Sequence, residues 1–194
     1  MVNKGYLMVL MEAPPALEEE FQAWYDTEHL LERLAVPGFE TGFRFVCIDG
    51  APRYLAMYDL ASLEVLNSDE YLKVSLDKAS PWTKRITSRV KVQRYFGEQV
   101  FPGQAITGRT SRIILLRFRD LGLGDQSSII AGMHSNYGNE PETSQIRVLT
   151  QVSPTGIHFF AIVEARAPFS KRLDLKAFGA CANALDMFNT YAAF

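Results

Sequence analysis

The sequence predicts an α+β protein in which two tandem ferredoxin-like units form a pseudo-dimeric α+β barrel with antiparallel sheets. Three observations lead to this fold class. The hydrophobic period changes along the chain in the order β-α-β-β-α-β, the same order begins again near residue 112, and the strands are apolar on both faces. A chain of 194 residues is long enough to give both units a real core.

The first unit is predicted over residues 1–98. Its strands are marked by apolar or alternating runs between Pro- and Gly-containing turns, and they are expected at 4–11, 39–49, 53–60 and 88–97. Two helices are expected between them, over 16–35 before Pro37-Gly38 and over 63–79 between Ser62 and Pro81.

The second unit is predicted over residues 109–194, after a linker at 98–110. Its strands are expected at 112–119, 145–153 and 157–165, and its helices at 124–136 and 173–192. The similar spacing of the elements indicates a diverged tandem duplication. The final strand is weakly marked, and the C-terminal MFNTYAAF is its candidate.

The barrel follows from the faces of the predicted strands. In the strand at 39–49, one face would carry Phe39, Phe43, Phe45 and Cys47, and the other Val46 and Ile48. An antiparallel sheet with one face in water alternates apolar with polar residues, and these strands do not. Helices can cover one face, so the other face is expected to meet a second sheet.

Composition excludes several classes of function. Twenty basic residues against 22 acidic ones give a net charge of −2, which argues against a nucleic-acid-binding surface. No run approaches the roughly 20 apolar residues that cross a bilayer, and the N-terminus is predicted to be a strand, so we expect a cytoplasmic protein without a membrane partner. Cys47 and Cys181 are predicted to be free thiols, and scattered histidines predict no metal site and no cofactor.

The first predicted helix carries the most informative segment, FQAWYDTEHLLERLAVPGF at 21–39. At 100° per residue, one apolar stripe contains Leu17, Phe21, Trp24 and Leu31, with Tyr25 at its edge. Glu28 falls near the middle of this stripe and His29 on its flank, whereas Asp26 and Arg33 are predicted to point elsewhere. Burying an unpaired carboxylate is costly, which leaves two interpretations. Glu28 forms a structural pair with Arg44, or it lies at a cavity beside His29 and moves protons.

The motif WYDTEH, followed by L-x-x-L, VPGF and the strand FETGFRF, resembles the first-helix region of EthD-like proteins. These belong to the dimeric α/β-barrel superfamily, which includes muconolactone isomerases, polyketide cyclases and cofactor-free monooxygenases. The resemblance implies a pocket between helix and sheet with His29 pointing into it. It implies the same position, more weakly, for Tyr25, Asp26 and Glu28. The second half reads QSSIIAGMHSNYG here, so its site is expected to be lost. Haem occurs in other members of this fold, where it would need a proximal histidine, and His134 and His158 stay open as candidates for that ligand.

The resemblance and the residues together predict an EthD-like enzyme that uses acid/base chemistry on an aromatic or lactone-like metabolite. The reaction would be that of an isomerase, cyclase, dehydratase/lyase or cofactor-free monooxygenase. His29 and Glu28 would be catalytic, and Trp24, Tyr25 and Arg44 would bind the substrate. The alternatives are a non-catalytic binding or accessory protein for a hydrophobic metabolite and a purely structural barrel. Self-association into a homo-oligomer stays open.

Overall fold

The computed structural model describes residues 2–75 and 78–194, which form one closed antiparallel barrel of eight strands. The strands are β1 (Gly5–Glu12), β2 (Phe39–Asp49), β3 (Tyr54–Leu60), β4 (Lys91–Phe101), β5 (Arg112–Leu121), β6 (Thr143–Ser153), β7 (Gly156–Ala165) and β8 (Leu185–Ala193). Most of them match the predicted strands within a few residues.

Short helices cover the outside of the barrel. The α-helices are α1 (Glu18–Trp24), α2 (Leu30–Leu34), α3 (Asp69–Lys73), α4 (Pro81–Thr87) and α5 (Gln126–Tyr137). A π-helical turn, Tyr25–His29, joins α1 to α2. Short 3₁₀ segments lie at Pro15–Leu17, Leu63–Asn67, Leu123–Asp125 and Leu175–Ala184. Within the described residues, no helix is long and apolar enough to span a bilayer.

Each half of the chain contributes four strands in an equivalent order. The first half is ordered β4-β1-β3-β2 and the second β6-β7-β5-β8, and both are the order of a ferredoxin-like sheet. The edge strands of the two halves pair antiparallel, β2 with β8 and β4 with β6, which closes the barrel. The predicted α+β barrel is therefore confirmed. The unit boundaries stay a prediction, and β4 runs past residue 98 to Phe101.

The apolar residues on both faces of the strands are explained by three core layers. The barrel interior is filled by buried side chains, which are Tyr6, Met8, Leu10, Phe45, Leu55, Met57, Ile113, Leu115, Leu149, Phe160, Ile162 and Tyr191. A second layer lies between β1–β4 and the helices of the first half, and a third lies between β5–β8 and α5. Cys47 and Cys181 are free thiols, as predicted.

A buried ion cluster near one end of the barrel joins the two halves. Arg147 of β6 is fully buried, and its guanidinium lies 2.6 Å from the Asp59 carboxylate and 3.0 Å from that of Glu164. It also donates to Thr107 Oγ1 at 2.7 Å. Asp59 belongs to the first half, Glu164 to the second and Thr107 to the connection, so one guanidinium ties all three together.

Two predictions in the first half are corrected by the structure. A β-bulge between Phe39 and Thr41 shifts the register, so Phe39 packs with the helix layer beside Tyr71 instead of in the barrel interior. The predicted helix at 63–79 is a 3₁₀ turn followed by α3, and its positions 76–77 lie outside the described residues. Pro81 does not end a helix but begins α4, with Ser80 as its N-cap.

The predicted helix at 173–192 is also wrong. A 3₁₀ segment occupies Leu175–Ala184, broken at Gly179, whose φ of 54° lies in the left-handed region. The rest of the range is β8, which pairs with both β2 and β5. The extended conformation of β8 is determined by its hydrogen bonds to the neighbouring strands and by the burial of Tyr191 in the barrel. The local hydrophobic period of the sequence reports neither contact.

Candidate functional site

The first helix is interrupted by the π turn at Tyr25–His29, in the middle of the WYDTEH motif. A π turn adds about one residue to the helical cycle and is common at functional sites. Every residue after it is therefore turned back by about 100° relative to a continuous α-helix. His29 moves from the flank to the centre of the buried stripe, and Arg33 enters that stripe. Leu31, predicted to be buried, is turned outward and is 58% exposed.

A cavity of about 460 Å³ lies between this helix and the outer face of the first sheet. This volume is typical of a small-molecule site. Its walls are mainly apolar and aromatic, and they include Leu7, Val9, Met11, Phe21, Trp24, Leu66, Ile86 and Val90. The polar side chains that line it include those of His29, Arg33, Tyr58, Tyr71 and Arg94.

His29 lies in the wall of this cavity, where its ring packs against aromatic side chains. Its ring stacks on Trp24, with centroids 4.3 Å apart, and meets Tyr25 edge-on at 5.1 Å. Its Nδ1 atom is buried and has no hydrogen-bond partner within the described part of the chain. Burial, and then the positive charges of Arg33 and Arg44, lower the pKa of His29 to about 3. The imidazole is therefore neutral at physiological pH, and one of its ring nitrogens carries no proton.

Two tyrosines form a proton-donating pair beside His29. The Tyr58 hydroxyl donates to the Tyr25 hydroxyl at 3.2 Å, and both side chains are buried. Burial raises the pKa of Tyr25 to about 12 and that of Tyr58 well above its ordinary value. Both phenols therefore keep their protons at neutral pH. Tyr25 lines the cavity, so its own hydroxyl proton can be donated to a ligand.

Glu28 lies in a hydrogen-bond network that fixes α4 against α1. Its Oε1 atom accepts hydrogen bonds from the hydroxyls of Ser80 and Thr83. Thr83 Oγ1 in turn accepts from Trp24 Nε1 at 3.0 Å, and Ser80 caps α4. These contacts place Glu28 behind Trp24, where it positions the cavity wall, and the cavity lining does not include it.

Arg44 lies on the far side of Tyr25 from the cavity. Its guanidinium pairs with Asp26 and Gln22, and it lies 4.4 Å from the Tyr25 ring and 4.3 Å from that of Phe194. The structural pair between Arg44 and Glu28 does not form. Residues two apart in a helix point in different directions, and Asp26 is the acid that faces β2. Arg44 lines a separate open groove with Arg109.

The structure thus brings Trp24, Tyr25 and His29 together at one cavity, and it places Glu28 and Arg44 outside the cavity lining. Sequence reasoning missed Arg33, Tyr58, Tyr71 and Arg94. The position of Arg33, four residues after His29, was a signal, because residues four apart share a helix face. Tyr58 and Arg94 come from β3 and β4, and only the assembled sheet shows that they face the same helix.

No protein-family model and no curated protein matches this sequence. The structure is similar to that of an anthrone oxidase-like protein, with a TM-score of 0.68 at 12% identity, covering 100% of this chain and 92% of the other. It is also similar to a haem-binding protein from Thermus thermophilus, with a TM-score of 0.55 at 10% identity, covering 100% and 92%. A chlorite dismutase variant from Candidatus Nitrospira defluvii gives a TM-score of 0.56 at 8% identity, covering 99% and 92%. These likenesses show that the fold is that of dimeric α/β-barrel proteins.

Proposed function

We propose that this protein is an enzyme that binds an aromatic or lactone-like small molecule in the first-half cavity and moves a proton with His29 as the base. One observation carries the proposal. A neutral imidazole lines a mainly apolar cavity, and its Nδ1 atom has no hydrogen-bond partner among the described residues. A histidine kept for structure alone is normally held by hydrogen bonds, since unsatisfied buried polar atoms are costly.

The neighbouring side chains support proton transfer on an aromatic ring system. Trp24 and Phe21 offer ring faces and edges in the cavity wall, and Tyr25 offers a hydroxyl proton. His29 would take a proton from an activated carbon or hydroxyl, and the Tyr25 hydroxyl would stabilise the oxyanion that forms. Glu28 would act through Ser80, Thr83 and Trp24 as a positioning residue. The similarity to an anthrone oxidase-like protein supports an activated aromatic carbon acid as the substrate class.

The residues present do not fit a haem site of the kind suggested by the haem-binding neighbour. His134 is exposed on α5, where its ring meets Phe101 edge-on at 5.3 Å. His158 Nδ1 accepts a hydrogen bond from the Asp120 amide at 3.4 Å. Between α5 and its sheet, Met133 and Phe178 are fully buried and occupy the space that a macrocycle would need. No step of the proposed reaction therefore runs through haem.

The test is the base-promoted ring opening of 5-nitrobenzisoxazole. A base removes the ring C–H proton, the N–O bond breaks as the nitrile forms, and the product is a coloured phenolate. We expect a saturable rate with the wild-type protein and a loss of about 10²–10⁴-fold in His29→Ala, the usual contribution of a positioned base. His134→Ala, the same change at an exposed histidine of the second half, should keep the full rate.

A His29→Ala protein that stays folded and keeps the wild-type rate would refute the proposal. Saturable binding of the probe without turnover in the wild type would support the non-catalytic binding protein instead. His29→Gln, which removes the base but fills more of the space, serves as a second variant if His29→Ala unfolds. Thermal melting of every variant shows that rates are compared between folded proteins.

A further inference from the structure

The charged side chains in the cavity wall are all cationic among the residues that the structure describes. Arg33, Lys84 and Arg94 line the cavity, and no aspartate or glutamate of the described residues does so. An apolar cavity with charges of one sign concentrates ligands of the opposite sign. The ligand should therefore carry a negative charge.

Arg33 is the central observation, because it is a buried cation that pairs with no acid in the part of the chain that the structure describes. Only 6% of Arg33 is exposed, and its guanidinium donates one hydrogen bond, to the Val74 carbonyl at 2.8 Å. No carboxylate of the described residues lies within ion-pairing distance of it. A buried charge that lacks a counter-charge is expensive. Binding of an anion beside Arg33 would supply the counter-charge and offset this cost.

Arg94 approaches the same aromatic ring from the mouth of the cavity. Its Nη2 donates to the Tyr71 hydroxyl at 2.9 Å, and Arg33 Cζ lies 5.2 Å from the Tyr71 ring centroid. Tyr71 therefore contacts both guanidinium groups. Both arginines keep further N–H donors, which suit the two oxygens of a carboxylate.

Three other arginines around the first helix are paired with acids. Arg53 pairs with Glu18 and Arg85 with Glu20, and Arg44 pairs with Asp26. Among the described residues, by contrast, Arg33 contacts a carbonyl and Arg94 a tyrosine hydroxyl, and neither pairs with an acid.

We propose that the ligand of this cavity is an aromatic carboxylate, whose carboxylate binds Arg33, assisted by Arg94, and whose ring lies against the apolar wall beside His29. This inference rests on the proposed function, because it names the substrate class of the same site. It also adds a specificity-determining residue, Arg33, that the catalytic proposal does not need.

Anion binding at Arg33 would also prepare His29 for its role. The charge of Arg33 is one cause of the lowered pKa of His29, after burial. A carboxylate beside Arg33 offsets that charge, so the imidazole becomes a stronger base once the correct substrate is bound. A neutral aromatic molecule would leave the imidazole a weak base, which links recognition of the anion to catalysis.

The experiment compares 2-naphthoate with 2-naphthamide, which has the same ring and no charge, by isothermal titration calorimetry at pH 7.5. We expect the wild type to bind the carboxylate about 10–100-fold more tightly, as a charge-assisted hydrogen-bonded pair would give. Arg33→Gln should bind both probes with the Kd that the wild type shows for the amide. Arg33→Lys, which keeps the charge, should retain a preference for the carboxylate. Arg172→Gln, the same change at an exposed arginine of the second half, should behave as wild type.

Each remaining outcome contradicts the inference in a recognisable way. Equal affinity of the wild type for the two probes would overturn the anion site and leave the proposed function standing. An undiminished preference in Arg33→Gln would show that another cation provides it. Failure of the wild type to bind either probe would count against both proposals. If Arg33→Gln does not fold, the wild-type preference and its partial retention in Arg33→Lys decide the matter.

Discussion

The two halves of the barrel share one strand order but differ in the layer between helix and sheet. In the first half this layer holds the cavity of about 460 Å³ around His29. In the second half Phe178, Met133 and Ile129 are fully buried between α5 and the sheet. A Cβ atom added at Gly132 would lie 2.3 Å from the Phe178 ring, so this glycine is what allows the ring to fit. One architecture therefore supports either a binding site or a solid core.

The helices that cover the two halves also differ, one being regular and the other interrupted. The helix α5 is a continuous α-helix from Gln126 to Tyr137, whereas the first helix contains the π turn at Tyr25–His29. The π turn directs His29 and Arg33 into the layer beneath the helix. It also places polar groups where a continuous helix would place Leu31. The site thus depends on an irregular helix as much as on the residues it carries.

Phe178→Ala should have the largest effect on stability, because it opens the filled layer. Removing a fully buried phenylalanine leaves a cavity that the neighbours close only partly, so we expect a loss of about 3–5 kcal/mol in the free energy of unfolding. Urea denaturation measures this loss. A loss below about 1 kcal/mol would mean that the second layer is loosely packed, contrary to the comparison.

Gly132→Ala tests the same layer by overfilling it. The added methyl would meet the Phe178 ring, and we expect a net destabilisation of about 1–2 kcal/mol, since crowding outweighs the better helix propensity of alanine. Gly124→Ala is the matched control, because nothing lies within 4 Å of its added Cβ atom. Equal melting temperatures for the two variants would contradict this account of Gly132.

Val90→Phe should make the first half resemble the second. Val90 is a buried residue of the cavity wall, and a phenylalanine there would extend into the free volume. The affinity for 2-naphthoate should fall about tenfold or more, with little change in stability, because the new ring fills space that already exists. Val152→Phe at an 83% exposed position of β6 is the control. Unchanged affinity in Val90→Phe would place the binding site elsewhere.

The last expected effect is on the pH dependence of stability. The pKa of His29 is about 3 in the folded protein against 6.5 ordinarily, so the unfolded chain binds more protons between these values. The contribution of His29 to stability is complete above pH 6.5 and declines as the pH falls toward 3. The stability lost between pH 7.5 and 4.5 should therefore be smaller in His29→Gln than in the wild type. If urea denaturation gives equal losses of stability for His29→Gln and the wild type, His29 is exposed to solvent.

Much of the fold could be predicted from the sequence, because hydrophobic period reports directly on strand faces. Strands that are apolar on both sides, such as residues 54–60, require a sheet that is covered on both faces. Helices cover one face, and closure into a barrel covers the other. The failures lie where tertiary contacts decide the conformation. The strand β8 is stabilised by its pairing with β2 and β5. Gly179 breaks the 3₁₀ segment that occupies part of the range predicted to be helical.

The candidate site was predicted in part for a similar reason. Trp24, Tyr25 and His29 lie within six residues of one predicted helix, and a helix places Tyr25 and His29, four residues apart, on the same face. The spacing of Arg33 from His29 indicated a shared helix face, but the π turn that rotates this face into the cavity has no sequence signal that distinguishes it from a continuous helix. Tyr58 and Arg94 reach the cavity from separate strands, and local patterns carry no information on that contact.

The most direct test of the central claim follows the three histidines by NMR, with His→Gln variants to assign their ring signals. The first-half cavity should keep His29 neutral from pH 8 to below pH 4, consistent with its pKa of about 3. On addition of 2-naphthoate, the ring signal of His29 should shift strongly, while those of His134 and His158 stay in place. A His29 that titrates near its ordinary pKa of 6.5 and does not respond to the ligand would contradict the account.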